Sequence, residues 1–268
     1  MILKRVVRTE IMLLIVPMSL IVGWECIVRL ELVPPSQAAA PSAVIVCLAS
    51  LLAKGTLLKH ACYSMGRIAA GVLIGSSIGV SSGVFLGTSR TADRLFSPTV
   101  QLLAGVPVVV WIPFWVMFFG TDEAFKIAMA AISTFFLVHL NTFGGVRSTG
   151  RHYLELADIY EKGAWEKIRE ILLPSAAPAI LNSIRMSLIL CWVVIFFVEY
   201  ASARHGAEGL GWFIADSRQV GKIEEEFAGL LFLGLIAYFS DRLLSAVQRR
   251  ALSWSDTLET AILQEERL

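Results

Sequence analysis

At 268 residues, 56% hydrophobic and 17% charged, with a mean hydropathy of +0.69, the chain is too apolar for an ordinary soluble domain. Its net charge of +1 says nothing about protein partners and offers no basic field for nucleic acid. Apolar runs of eighteen or more residues recur, and each is long enough to cross the roughly 30 Å hydrocarbon core as a helix. The sequence therefore predicts an all-α integral membrane protein, residues 1–268 forming one transmembrane domain, because lipid leaves every backbone polar group to be satisfied within the chain.

Lys4, Arg5 and Arg8 precede the first apolar run, 11–30. Ala38-Ala39-Ala40 has the small-residue character of a signal-peptidase site, but it lies far from the apolar centre, and Trp24, Glu25 and Arg29 intervene. An uncleaved first span with its amino end in the cytoplasm is expected. Prolines between residues 34 and 41 break the chain, and 42–53 is apolar but too short to cross, which fits an interfacial helix. The second span, 61–87, carries Gly71, Gly75, Gly79, Gly83 and Gly87 at strict four-residue spacing. Each such step turns a helix by about 400°, so the ridge drifts only about 40° per step and stays on one side. A smooth ridge lets a neighbouring backbone approach closely; a substrate-facing groove is the alternative.

The third span, 95–119, follows a short polar turn and is punctuated by Pro98, Gly105, Pro107 and Pro113, with Trp111 and Trp115 between. Proline removes intrahelical hydrogen bonds and kinks a helix. Transporters place broken helices where backbone lines a cavity, and kinked packing without function is the competing reading. The fourth span, 124–143, begins after the 120–123 turn.

Residues 155–174, ELADIYEKGAWEKIREILLP, interrupt the apolar pattern. An apolar stripe steps by three or four through Leu154, Ala157, Tyr160/Glu161, Ala164/Trp165, Ile168 and Ile171/Leu172. Arg147, Arg151, Lys162, Lys167 and Arg169 balance Glu155, Asp158, Glu161, Glu166 and Glu170. A lipid-binding surface helix is strongly basic, so this balanced insert suits a protein partner; a solvated loop joining two spans is the plainer alternative. The fifth span, 176–199, is entered through Pro174 and Pro178, and the glycine-rich 200–223 suits an external or partly re-entrant loop. The sixth, 224–247, opens on Glu224-Glu225-Glu226, favourable at a helix amino terminus, and ends in Arg249-Arg250 before a polar tail, 251–268. Six spans with the amino end inside put thirteen Lys and Arg on the cytoplasmic side against seven outside, in the direction of the positive-inside rule. Residues 144–175 and both termini are then cytoplasmic.

Glu155-Leu156-Ala157, with Ile171-Leu172-Leu173-Pro174 completing a nineteen-residue interval from glutamate to proline, resembles the "EAA" loop of ABC-importer permeases. One position departs from that pattern: the family glycine six residues after the glutamate is replaced by Glu161, and Gly163 is the nearest glycine. GVPVVVWIPFWVMFFG (105–120) resembles the kinked third span of the nitrate/sulfonate/taurine permeases, and LNTFGGVRS (140–148) their lead-in to the loop. Glu199 followed by Gly209-Leu210-Gly211, with Arg67 and Arg185, also matches that subfamily. The resemblance implies a type I importer fold of about six transmembrane helices in a bacterial inner membrane. In that family the loop is a cytoplasmic helix pair that docks on an ATPase, here Glu155, Leu156, Ala157, Asp158, Gly163, Trp165, Ile168, Leu172 and Pro174. It further implies two ATPase subunits, a second copy of the permease, and a periplasmic binding protein that delivers a small sulfonate-, taurine- or nitrate-like solute. No GxxxxGK[ST] loop is present, so ATP and magnesium belong on the partner, with no cofactor on this chain.

Enzyme chemistry has no foothold. His60, His139, His152 and His205 are dispersed without catalytic or ligand spacing, so neither a catalytic nor a metal site is expected. His139 alone lies well inside a span, as a functional group or a histidine bonded between helices. Arg185 can snorkel or pair with a carboxylate, and Glu25 and Glu199 sit at external span ends where an interfacial place is cheapest. Cys26, Cys47, Cys62 and Cys191 read as packing residues. The expected path runs by Gly105, Pro107, Trp111, His139 and Glu199. The rival is an ion-coupled secondary transporter or channel subunit, which needs the mid-membrane acidic residues that are scarce here.

Overall fold

In the computed structural model, residues 2–202 and 208–252 are described, together with the side chains of all of these except 2–14 and Arg151. Arg204, His205 and the tail beyond Leu252 lie outside the described residues, as do the side chains of Lys4, Arg5 and Arg8. The regular elements described are all helical: α1 (Ile2–Arg29), α2 (Pro41–Ala53), α3 (Thr56–Thr88), α4 (Arg90–Ala104), a 3-10 turn (Val108–Trp111), α5 (Ile112–Phe119), α6 (Glu123–Arg147), α7 (Arg151–Ile159), α8 (Ala164–Lys167), a π turn (Ile168–Leu172), α9 (Leu173–Ala201), α10 (Leu210–Gln219) and α11 (Ile223–Ala251). Helices α3, α6, the continuous rod Ala164–Ala201 and α11 are each long and apolar enough to cross a membrane, and the bent pair around residue 105 makes a fifth if its two limbs are counted as one span. The first expected span, 11–30, is covered by α1 as far as Arg29.

The chain divides into two compact units, one of residues 1–63 with 203–235, the other of 64–202 with 236–268. In the first, Glu25 of α1 accepts hydrogen bonds from the backbone N–H (3.0 Å) and hydroxyl (2.7 Å) of Ser42 at the start of α2. These bonds hold the Glu25 carboxyl in place at that junction. In the same unit His60 Nδ1 accepts from the Gly209 N–H at 3.2 Å. The 200–223 segment departs from the loop expectation, because α10 buries Leu210, Phe213 and Ile214. Packing of apolar residues overrides its glycines.

In the second unit α6 lies between α3 and α9. The glycine ridge of α3 meets α6 directly: a Cβ at Gly71 would stand 2.3 Å from that of Ala130, and one at Gly75 2.3 Å from the Ala131 carbonyl oxygen. Gly83 and Gly87 face Thr142 and Val146 in the same manner. Against α9, Gly145 lies over Ala176, and buried Cys191 sits 3.4 and 3.3 Å from the hydroxyls of Ser133 and Thr134. All four cysteines are free thiols, Cys191 buried and Cys26 and Cys62 on the surface of the single chain.

The third span is not one kinked helix. Pro98 is carried inside α4 without a break, whereas at Gly105–Pro107 the chain turns by 97° between the two limbs. Pro107 donates no N–H to α4 and opens the 3-10 turn, and Pro113 then sits in the first turn of α5, where a missing N–H costs nothing.

Candidate functional site

The insert folds as two short helices meeting at a tight corner. Helix α7 ends in a Schellman arrangement: the Glu161 N–H donates to the Asp158 carbonyl and the Lys162 N–H to the Ala157 carbonyl, both at 3.0 Å. Glu161 carries the left-handed φ of 53° that this stop requires. This is the position where the resembled family has its glycine, so the corner is kept although the residue is not. Gly163 then caps α8, its N–H donating to Glu166 Oε2 at 2.9 Å. Lys167 pairs with Asp158 and Lys162 with Glu170, tying the two arms. The Glu170 carboxylate holds the Lys162 ammonium above its usual range.

Helix α8 does not stop before the fifth span. It continues through the π turn into α9 as a 38-residue rod, so the helix that carries the fifth span begins well before residue 176. The Leu173 N–H donates to the Ile168 carbonyl, five residues back. Such a widened turn just before Pro174 relieves the clash of its ring with the carbonyl four residues earlier. The apolar stripe therefore divides. Leu172 is buried with Val146, Ala176 and Ile180, with Ile168 and Leu154 packed against them, and Ala157 is buried too. Ile159, Tyr160 and Trp165 are 74%, 75% and 70% exposed, so Trp165 does not join Ile168 and Leu172 on this chain's own core. Glu155, Leu156, Asp158, Gly163 and Pro174 are exposed. Exposed aromatic and aliphatic residues beside balanced charges make a surface suited to another protein.

At the opposite ends of α6 and α9 lies a charged cluster. Arg67 of α3, 4% exposed, donates from Nε and Nη2 to the two carboxylate oxygens of Glu123 at 2.6 and 2.7 Å, and from Nη1 to Glu199 at 2.5 Å. Ser64 Oγ lies 2.9 Å from both Glu199 oxygens, and Lys126 Nζ donates to Glu123 at 2.9 Å. Glu199 is buried, not interfacial. The sequence places Glu123 in the 120–123 turn and Lys126 among the seven external cations, with no role for either; a buried arginine in want of carboxylates is the signal that finds them. Over this end, Trp111 and Trp115 of the broken span pack on Phe125, Met129, Val194 and Val198. Both indole N–H groups and the Thr121 hydroxyl are buried without a hydrogen-bond partner, each at a cost of about 1–3 kcal/mol. Gly105 and Pro107 are exposed at the break.

His139 is apart from this cluster, buried on α6 with Nδ1 2.8 Å from Ser82 Oγ of α3; it is the histidine bonded between helices. Arg185 is bidentate to Asp241 of α11 at 2.7 and 2.9 Å, so it pairs and does not snorkel. No group of three metal-ligating side chains occurs among the described residues.

Residues 71–253 match the family described as binding-protein-dependent transport system inner membrane component. The chain belongs to that family. This ABC importer permease is 30% identical over 246 residues to a Bacillus subtilis (strain 168) protein named for aliphatic sulfonates transport, SsuC, covering 92% of this chain and 88% of that one. It is 26% identical to the taurine transport system permease protein TauC of Escherichia coli (strain K12), over 88% of this chain and 86% of that protein. Among solved structures, a bacterial ABC transporter for import of the acidic polysaccharide alginate has a chain that aligns at TM-score 0.64 and 12% identity, covering 93% of the permease and 99% of that chain. An amino acid ABC transporter aligns at 0.61 and 16% identity, over 76% and 97%. These share the type I importer fold, and the permease works with an ATPase component.

Proposed function

We propose that this permease lines the path for a small sulfonate-, taurine- or nitrate-like anion, or a related small organic compound, across a bacterial inner membrane, with both termini cytoplasmic. Two copies of the chain form the pathway, two cytoplasmic ATPase subunits bind ATP and magnesium, and a periplasmic binding protein delivers the solute. The observation that carries this reading is the α7–α8 corner, which presents Ile159, Tyr160 and Trp165 outward and is continuous with a membrane-spanning rod. ATP-driven closure of the ATPase pair draws the two corners together, and the attached rods open the pathway outward. The similarity to permeases named for sulfonates and taurine supports the solute class.

The test is co-purification with a vanadate-sensitive ATPase, followed by uptake in vesicles. Glu155→Ala, or Ala157→Arg at a buried site of α7, is expected to leave membrane insertion intact. Each should lower uptake per ATP hydrolysed by about tenfold or more, the loss of about 1.4 kcal/mol of coupling. Normal uptake in both variants rejects the docking role, and the absence of any bound ATPase rejects the importer assembly.

A further inference from the structure

We propose that Arg67 and Lys126 form an oxyanion site in which Glu123 is a displaceable occupant, and that a sulfonate-type substrate takes its place during transit. The inference rests on the importer reading and names the residues that meet its anion. Three of the four charges are almost sealed, the side chains of Arg67, Lys126 and Glu199 being 4%, 7% and 1% exposed. Among the described residues these three carry a net charge of +1, which a buried site does not tolerate without an anion. The balancing charge comes from Glu123, whose side chain is 59% exposed. It belongs to the first residue of α6, just beyond the 120–122 turn in which Gly120 has a φ of 64°. The carboxylate can leave for solvent by side-chain rotation, with the helix unchanged. Glu199, in contrast, is fixed by Ser64 and by Nη1 of the same arginine.

What Glu123 occupies is a fork of Nε and Nη2 closed by a lysine ammonium, the donor geometry for paired oxygens of a carboxylate, sulfonate or nitrate. Its two oxygens are used by those donors. The Trp111 and Trp115 indoles and the Thr121 hydroxyl, on the segment that borders this end of α6 and α9, keep polar hydrogens without an acceptor. The exposed carboxylate, held by a buried arginine and a buried lysine, is the exchangeable member of this network.

The experiment uses the full-length chain with its ATPase, in phosphatidylcholine nanodiscs without ATP, titrated with methanesulfonate. In Glu123→Ala the anion is expected to bind at least about tenfold more tightly than in wild type, because the tethered competitor is gone, and to raise the melting temperature accordingly. Adding Lys126→Met to that background should weaken binding by about tenfold or more. Glu123→Gln, which retains side-chain volume, is the second variant should Glu123→Ala not purify, and the same tightening is expected. Equal affinity in wild type and the Glu123 variants, or indifference to Lys126→Met, overturns the proposal. The readout needs no turnover, so it stands or falls separately from the coupling test.

Discussion

Glu161 shows how a fold can keep a corner while changing the residue that suits it. Its φ of 53° lies in the left-handed region, where a side chain costs about 1–2 kcal/mol, whereas glycine in its place gives up roughly 0.5–1 kcal/mol of backbone entropy on folding. The strain term is the larger. Glu161→Gly should therefore stabilise the α7–α8 corner by about 0.5–1 kcal/mol, read as slower hydrogen exchange at the Glu161 and Lys162 amides, whose bonds close it. Faster exchange would mean that the Glu161 side chain contributes more than its backbone costs. His139 and Arg185 teach a complementary point: each is an ionisable residue within a span, and each is accounted for by one partner on a neighbouring helix, Ser82 and Asp241. The cluster around Arg67 differs because one of its carboxylates reaches solvent.

Among elements, the α3–α6 contact sets the tolerance of the whole packed layer. A methyl at Gly75 would meet backbone, 2.3 Å from the Ala131 carbonyl oxygen, and backbone cannot rotate away. Gly66 lies on the same helix with nothing within 4 Å of a built Cβ. Gly75→Ala should cost about 1–3 kcal/mol by overpacking, seen as a lower melting temperature and poorer yield of folded permease, while Gly66→Ala should be near neutral. Equal behaviour of the two variants would refute the ridge as a contact surface. This much was legible in the sequence because a four-residue glycine period has few other uses in a membrane helix. The apolar spans were legible too, since lipid imposes both length and composition. What was hidden depended on residues far apart in the chain. Arg67 finds Glu123 and Glu199 at separations of 56 and 132 residues, which no local pattern encodes. Helix α10 was hidden by Gly209 and Gly211, because burial of Leu210, Phe213 and Ile214, not intrinsic propensity, holds it. The 97° turn at 105–107 was foreseen as a kink, but proline content gives the place of a break and not its angle.

For the molecule as a machine, the decisive feature is that α8, which carries Trp165 of the proposed docking surface, and the span are parts of one rod. Its 38 residues extend about 57 Å at 1.5 Å per residue, roughly twice the hydrocarbon thickness, so the far end of α8 stands well clear of the membrane. Ile168, Leu172, Ala176 and Ile180 fasten the α8-side half of the rod to α6 through Val146, so a pull on the corner is expected to carry α6 with α9. Docking and transmission are therefore separable. Two glycines inserted between Lys167 and Ile168 leave the corner's own ties, Lys167 with Asp158 and Lys162 with Glu170, on residues that still face a partner, although the second pair must then bridge a longer loop. They also leave the Leu172 cluster in place. The flexible joint should keep ATPase co-purification and ATP hydrolysis within about twofold of wild type, while uptake falls by about tenfold or more. Four alanines at the same point add about 400° of helix and so return the corner to nearly its original face; that stiff insertion should recover more uptake than the glycines do. If the glycine joint transports as well as wild type, motion reaches the pathway by another route and the rod is only a tether.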